Sequence, residues 1–182
     1  MSQTAYPTTE QITASAFKLL VENPLFKVGE ATIRGNVYRV FENAPPSLAG
    51  AFVHGASYGD KEFLYYEGEV WTNQKLWSEA CRLANALSAG LGVKKGDKVA
   101  IAMRNYPEWC AAYMAIISLG AIAVPLNAWW KGEELRYALK DCGARVVFVD
   151  DKRLEYIGPL KDDLGLTLIS VRHDAEIGRA HV

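Results

Sequence analysis

WTNQKLWSEACRLANALSAGLGVKKGDKVAIAMRNYPEWCAAYMAIISLGAIAVPLNAWWKGEELRYALKDCGARVVFVD, residues Trp71 to Asp150, decides the fold. It reads as helix, strand, helix, strand, helix, strand, with a turn signal at nearly every junction. Thr72 is a natural N-cap for the first helix. Leu76, Ala80, Leu83, Ala84 and Leu87 then recur at three- and four-residue steps, which makes one buried stripe. Gly90 and Gly92 end it. Lys98 to Met103 is a short apolar run of the kind that fills a central parallel strand. Pro107 suits the first turn of the second helix, where a missing N–H costs little. Trp109, Tyr113, Ile116 and Ile117 share one face of that helix, and Gly120 ends it. Ala121 to Leu126 reads as a second buried strand. The third helix runs from about Gly132 to Asp141, with Glu133 and Glu134 near its positive end and Gly143 after it. Arg145 to Asp150 is the third strand. Beyond it, Leu154 to Leu164 predicts a helix and Leu166 to Val171 a fourth strand.

Strands alternating with helices of this length imply right-handed crossovers and an α/β fold, a mostly parallel sheet with helices on both faces. Upstream, Glu10 to Glu22 has helical spacing at Ile12, Ala16, Leu19 and Leu20, and Pro24 ends it. Ala31 to Phe41 predicts a hairpin turning at Gly35-Asn36. Asn43 to Pro46 is a break. Ser47 can cap a short helix through Val53, and a loop, HGASYGDK, leads to a second hairpin turning at Glu67-Gly68. The organisation expected is an extension over 1–44, an α/β lobe over 45–176, and a tail over 177–182. That tail, IGRAHV from Ile177, continues no pattern. It matches one reading frame of a common sequencing-adapter oligonucleotide and is expected to be non-native.

Composition narrows the function classes. The 182 residues are half hydrophobic and 23% charged, with a formal net charge of -1. That balance gives no case for nucleic acid or an anionic membrane surface. The start, MSQTAYPTTE, lacks the basic and apolar regions of a signal peptide. The most apolar window, Trp109 to Leu126, is broken by Gly120 and Pro125 and reads as buried helix plus strand, not a membrane span. Cys81, Cys110 and Cys142 are far apart, which fits a reduced cytoplasmic protein with buried thiols.

Three stretches imitate functional motifs. Gly55-Ala-Ser57-Tyr-Gly59 fits the nucleophile elbow G-x-S-x-G, but an elbow needs a strand before the serine and a helix after it. Here the order is reversed, so the reading is a loop, with a Ser57 hydrolase kept as an alternative. Gly90-Leu-Gly92-Val-Lys-Lys-Gly96 approaches a dinucleotide fingerprint, yet it joins helix to strand instead of strand to helix. Asp150-Asp151-Lys152-Arg153 lies at the carboxyl end of a strand, the edge where open α/β sheets bind ligands. Its plain reading is a solvated turn. No histidine–carboxylate cluster has metal-ligand spacing. The five tryptophans read as packing residues, because no basic groove accompanies them.

RNYPEWCAAYMAIISLGAIAVPLNAWW and GEELRYALKDCGARVVF resemble the N-terminal region of the adenylate-forming acyl-CoA synthetases, and the likeness is strongest from Pro45 to Asp150. Asn127-Ala128-Trp129-Trp130 is similar to bacterial long-chain fatty-acid–CoA ligases. The resemblance implies ATP-dependent conversion of a carboxylic acid to an acyl-adenylate with Mg²⁺, then attack by coenzyme A to release AMP. It also implies Lys152 and Arg153 as contacts to the coenzyme A phosphates. The family's Ser/Thr/Gly-rich phosphate loop ending in Pro-Lys-Gly, its Tyr-Gly-x-Thr-Glu segment, its ribose aspartate and its C-terminal lysine have no match here. No catalytic or metal-binding residue is therefore carried over, and the chain is expected to be an inactive N-terminal fragment that binds no cofactor alone. The alternative is a stand-alone α/β binding module without adenylation chemistry.

Overall fold

The computed structural model describes residues 6–173. The chain divides into two compact units after Pro46. The first contains helix α1, Thr9–Glu22, opened by a reciprocal cap. Thr8 Oγ1 accepts from the Gln11 N–H, and Gln11 Oε1 accepts from the Thr8 N–H, so two of the donors left over at a helix start are satisfied. Pro24 then enters a 3₁₀ turn, Pro24–Phe26. Strands β1, Val28–Ile33, and β2, Asn36–Phe41, form an antiparallel hairpin. Its turn is Arg34-Gly35, one residue earlier than the sequence suggested. Both residues have positive φ, 51° and 83°, as a tight two-residue hairpin turn demands. Glycine suits the second of those positions, and Asn36 is left to pair with Ile33. No described side chain of this unit is fully buried.

The second unit opens with α2, Leu48–Ala56, capped by Ser47 Oγ at 3.1 Å from the Gly50 N–H. The helix runs past the expected Val53 and takes in His54. Strands β3, Glu62–Tyr66, and β4, Glu69–Thr72, form the second hairpin, turning at Glu67-Gly68 as expected. Helix α3 follows over Asn73–Asn85, with Thr72 Oγ1 3.1 Å from the Lys75 N–H, and closes in a wider turn over Ala86–Gly90. Replacing Thr72 with alanine should cost about 1 kcal/mol. The check is a lower urea midpoint at unchanged denaturant dependence.

The α/β core then runs β5 (Lys98–Ala102), α4 (Pro107–Ser118), β6 (Ile122–Pro125), α5 (Gly132–Cys142), β7 (Val146–Asp150), α6 (Asp151–Ile157), α7 (Lys161–Leu164) and β8 (Thr167–Val171). The four strands form a parallel sheet in the order β6-β5-β7-β8. Successive residues of a strand face opposite sides, and both central strands use the two sides fully. Val99 and Ile101 of β5 join Val146 and Phe148 of β7 against Leu87 and the alanines of α4. Ala100, Ala102, Val147 and Val149 pack on the other side against Leu135 and Leu139 of α5 and Ile157 of α6.

Three expectations change in detail. The fully buried residues of α4 are Pro107, Ala111, Ala112, Ala115 and Ile116. Trp109 and Tyr113 are half-buried and stack on each other, ring centroids 5.4 Å apart. Alanines let helix and sheet approach closely, so the small residues sit innermost and the large ones at the flank. Second, β6 is an edge strand, with Ile122 47% exposed. An apolar run alone does not say whether a strand lies at the centre or the edge. Third, the helix expected over Leu154 to Leu164 starts at Asp151 and is interrupted by a 3₁₀ turn, Gly158–Leu160. Pro159 supplies no N–H to continue it. The three cysteines are free and half-buried. The tail expected over 177–182 lies outside the described residues.

Candidate functional site at the carboxyl edge of the sheet

All four parallel strands end on one edge, where open α/β sheets bind their ligands. Asp150 is the last residue of β7 and the N-cap of α6, and its side chain is 3% exposed. Its Oδ1 accepts the Arg153 N–H at 3.0 Å, and its Oδ2 accepts the Arg104 N–H, just beyond β5, also at 3.0 Å. The Arg153 guanidinium completes the set at 3.2 and 3.3 Å. One carboxylate thus ties together the ends of the two central strands. A buried charge is tolerated only when paired and hydrogen-bonded. Arg153 Nε alone has no partner among the described residues.

Lys152 points to solvent instead. Its ammonium contacts Glu155 at 2.6 Å and lies 5.3 Å from the Tyr156 ring centroid. The Glu155 carboxylate raises its pKa. Of the two basic residues implicated by the sequence, one is therefore exposed and one is held inside on Asp150. Asp151, next in line, contacts His173 Nδ1 beyond β8.

A second cluster was not legible in the sequence. Arg172, just after β8, donates from Nε to both carboxylate oxygens of Glu108 at 3.0 Å and reaches Glu69 of β4 at 2.8 Å. The guanidinium also lies over the rings of Tyr66 and Tyr106. Glu69 accepts a hydrogen bond from Trp71 Nε1, and this, followed by Arg172, holds its carboxyl below the usual carboxylate range. A depressed folded-state pKa contributes stability that is present above the unfolded value and is lost as pH falls through the folded one. The Glu69 contacts should therefore persist at neutral pH and weaken only below about 4.3, the ordinary glutamate value. Carboxyl-resolved NMR titration of Glu69 checks this, and an apparent pKa at or above that value would contradict it.

The lookalike motifs fall into place. Ser57 follows α2 and precedes β3, and its hydroxyl donates to the His54 carbonyl at 2.6 Å. That is a helix cap, not a strained elbow with a base beside it. Gly90 to Gly96 joins α3 to β5, so no helix N-terminus faces an anion there. Among the described residues no three His, Cys, Asp or Glu side chains gather as a metal site. The loops after β5, β6 and β7 contain no glycine between strand and helix. They do not fit a backbone cradle for a triphosphate, and no step through ATP is assigned to this lobe.

A parallel sheet with helices on both faces and charged clusters at its carboxyl edge defines an α/β lobe. A model of the AMP-binding enzyme family matches residues 52–178, and the chain belongs to that family. It is 36% identical over 104 residues to a long-chain-fatty-acid–CoA ligase of Salmonella typhimurium, covering 57% of this chain and 18% of that protein. Identity to an acetyl-coenzyme A synthetase of Syntrophus aciditrophicus is 31% over 146 residues, covering 75% of this chain and 22% of that protein. The chain thus spans about a fifth of the length of these relatives. Among solved structures, an anthranilate CoA ligase in complex with anthranoyl-AMP is similar with a TM-score of 0.65 at 29% identity, covering 69% of this chain and 25% of that one. A Mycobacterium tuberculosis fatty acyl CoA synthetase gives 0.62 at 28% identity, covering 69% and 26%. No helix among the described residues is long and apolar enough to cross a membrane.

Proposed function

We propose that this chain is the first α/β lobe of an ATP-dependent acyl-CoA synthetase. The whole protein joins a carboxylic acid to coenzyme A through an acyl-adenylate, releasing AMP and pyrophosphate. The observation that carries the reading is the family match over most of the lobe, together with relatives named as a long-chain-fatty-acid–CoA ligase and an acetyl-coenzyme A synthetase. Chemically, adenylation converts a poor leaving group into a good one. Charge on the triphosphate then has to be screened by Mg²⁺, cations and backbone donors. No phosphate cradle is found among the described residues, so the part of this lobe is to form one wall of the active-site crevice, and the 182-residue chain alone is inactive.

Coenzyme A contact at Lys152 and Arg153 belongs to the same proposal. Lys152 is exposed and within reach of an anion, in competition with Glu155. Arg153 is paired with Asp150 and would have to leave it to touch a phosphate.

Two measurements test the reading. The gene is sequenced from source DNA through and beyond the codon for Val182, with a frame running into a Ser/Thr/Gly-rich loop ending in Pro-Lys-Gly as the expected result. The protein from that frame is then assayed for acid-dependent exchange of pyrophosphate into ATP, beside the 182-residue chain. Exchange by the longer protein alone supports the proposal. Exchange by neither, over a panel of short, long and aromatic acids, overturns it.

A further inference from the structure

We propose that the tip of the β3–β4 hairpin is a lid over a small aromatic cavity at the carboxyl edge, and that Arg172 is its latch. The inference is independent of the adenylation reading. The cavity, of about 210 Å³, lies between the hairpin and the start of α4. Leu64 and Tyr66 form the lid side, Tyr106, Trp109 and Cys110 the floor, and Asn105 supplies an amide.

The latch is one guanidinium shared by three segments far apart in sequence. It binds Glu69 at the hairpin tip and Glu108 in the first turn of α4, and it leaves from the end of β8. Its plane also covers Tyr66 on the lid and Tyr106 on the floor, at 4.8 and 5.2 Å, and those two rings meet edge to face. Arginine suits this place because it pairs with carboxylates and stacks on aromatic faces at once. The backbone of Arg172 has a φ of 52°, a conformation disfavoured for a side chain of this size. The contacts of the guanidinium offset that cost, so losing them also removes the reason for the local backbone shape.

The hairpin is built to move at one end only. At its base Trp71 is buried with Leu76 and Ala111, and the Lys61 carbonyl accepts the Asn73 N–H at 3.0 Å. The tip is packed less deeply, since Tyr66 and Glu69, the pair on its inner face, are only half-buried. It is held by one ion pair, Arg172 with Glu69, whose side chains are 27% and 42% exposed, where water and salt weaken it.

Cys110 lines the cavity and reports on the lid. Its thiol, which packs on the Trp71 cluster as well as on the half-open cavity, is half-buried and pushed up in pKa by that burial, so it alkylates slowly. The 182-residue chain is treated with N-ethylmaleimide, and labelling of each cysteine is followed by peptide mass spectrometry. If the open lid is a minor state, Arg172→Ala should speed labelling of Cys110 about tenfold. Labelling of Cys142, the last residue of α5 on the opposite side of the sheet, should stay constant. Glu69→Gln, which loosens only the lid side, should speed Cys110 by less, and high salt should act in the same direction. Unchanged Cys110 labelling in both variants overturns the latch. So does an equal rise at Cys110 and Cys142 in both variants, which would mark general loosening.

Discussion

Replacing Asp150 with alanine is expected to remove about 3–5 kcal/mol of folding stability. The size follows from what stays behind. Arg153 would keep a positive charge in a site where its side chain is 5% exposed, with no carboxylate to meet it. The Arg104 N–H and the first turn of α6 would lose their acceptor as well. A domain of this kind has about 5–15 kcal/mol in hand, so the variant should sit near the edge of folding. Urea denaturation of the variant beside wild type reads the cost directly. A loss under about 1 kcal/mol would mean that water enters and solvates the guanidinium, and that Asp150 does not tie β5 to β7. The pair Asp150→Asn with Arg153→Met separates charge from packing. Asparagine can still accept at the cap, and no buried charge remains, so the double variant should recover much of the loss.

Phe148→Ala should cost about 3–5 kcal/mol for a different reason. Phe148 is 1% exposed, in the middle of β7, packed with Val99, Ile101, Met103 and Ile116. Strands β5 and β8 flank it on the two sides. Truncation removes the ring's transfer energy and leaves a void that the rigid sheet cannot close. Phe148→Leu, which restores most of the volume, should cost clearly less. Equal losses for alanine and leucine would point to ring-specific contacts over cavity formation.

The two predictions concern neighbouring residues on opposite sides of legibility. Phe148 could be placed from the sequence, since RVVFVD is a short apolar β-branched run after a glycine-terminated helix, and such a run is buried on both faces. The importance of Asp150 could be seen only as a position at a strand end. Arg153, its charge partner, is three residues on, but its other partner, the Arg104 backbone, lies 46 residues away, and no local pattern connects those two. The Arg172 cluster is more remote still, with 64 residues between Arg172 and Glu108. Locally, Glu108 reads as an ordinary acidic residue in a helix's first turn, and Arg172 as the charged end of a strand.

Helices, strands and most turns followed from the chain because their causes are local: Thr72 and Ser47 as caps, Pro107 as a residue without an N–H, Gly68 and Gly143 where φ is positive. Family membership was legible for a related reason, since long stretches around Pro107 and Asn127 carry recognisable wording. What only the tertiary structure decided is which strand lies at the edge, which residues of α4 sit innermost, and which charges meet at the carboxyl edge. Strand order places Ile122 outside and Phe148 inside although both belong to apolar runs. Close approach of α4 selects alanine over tryptophan for the inner positions. Pairing with Asp150 buries Arg153 and leaves Lys152 facing water. Each of these outcomes depends on which distant surfaces are brought together, and an interaction energy between distant groups exists only once the fold has closed the distance.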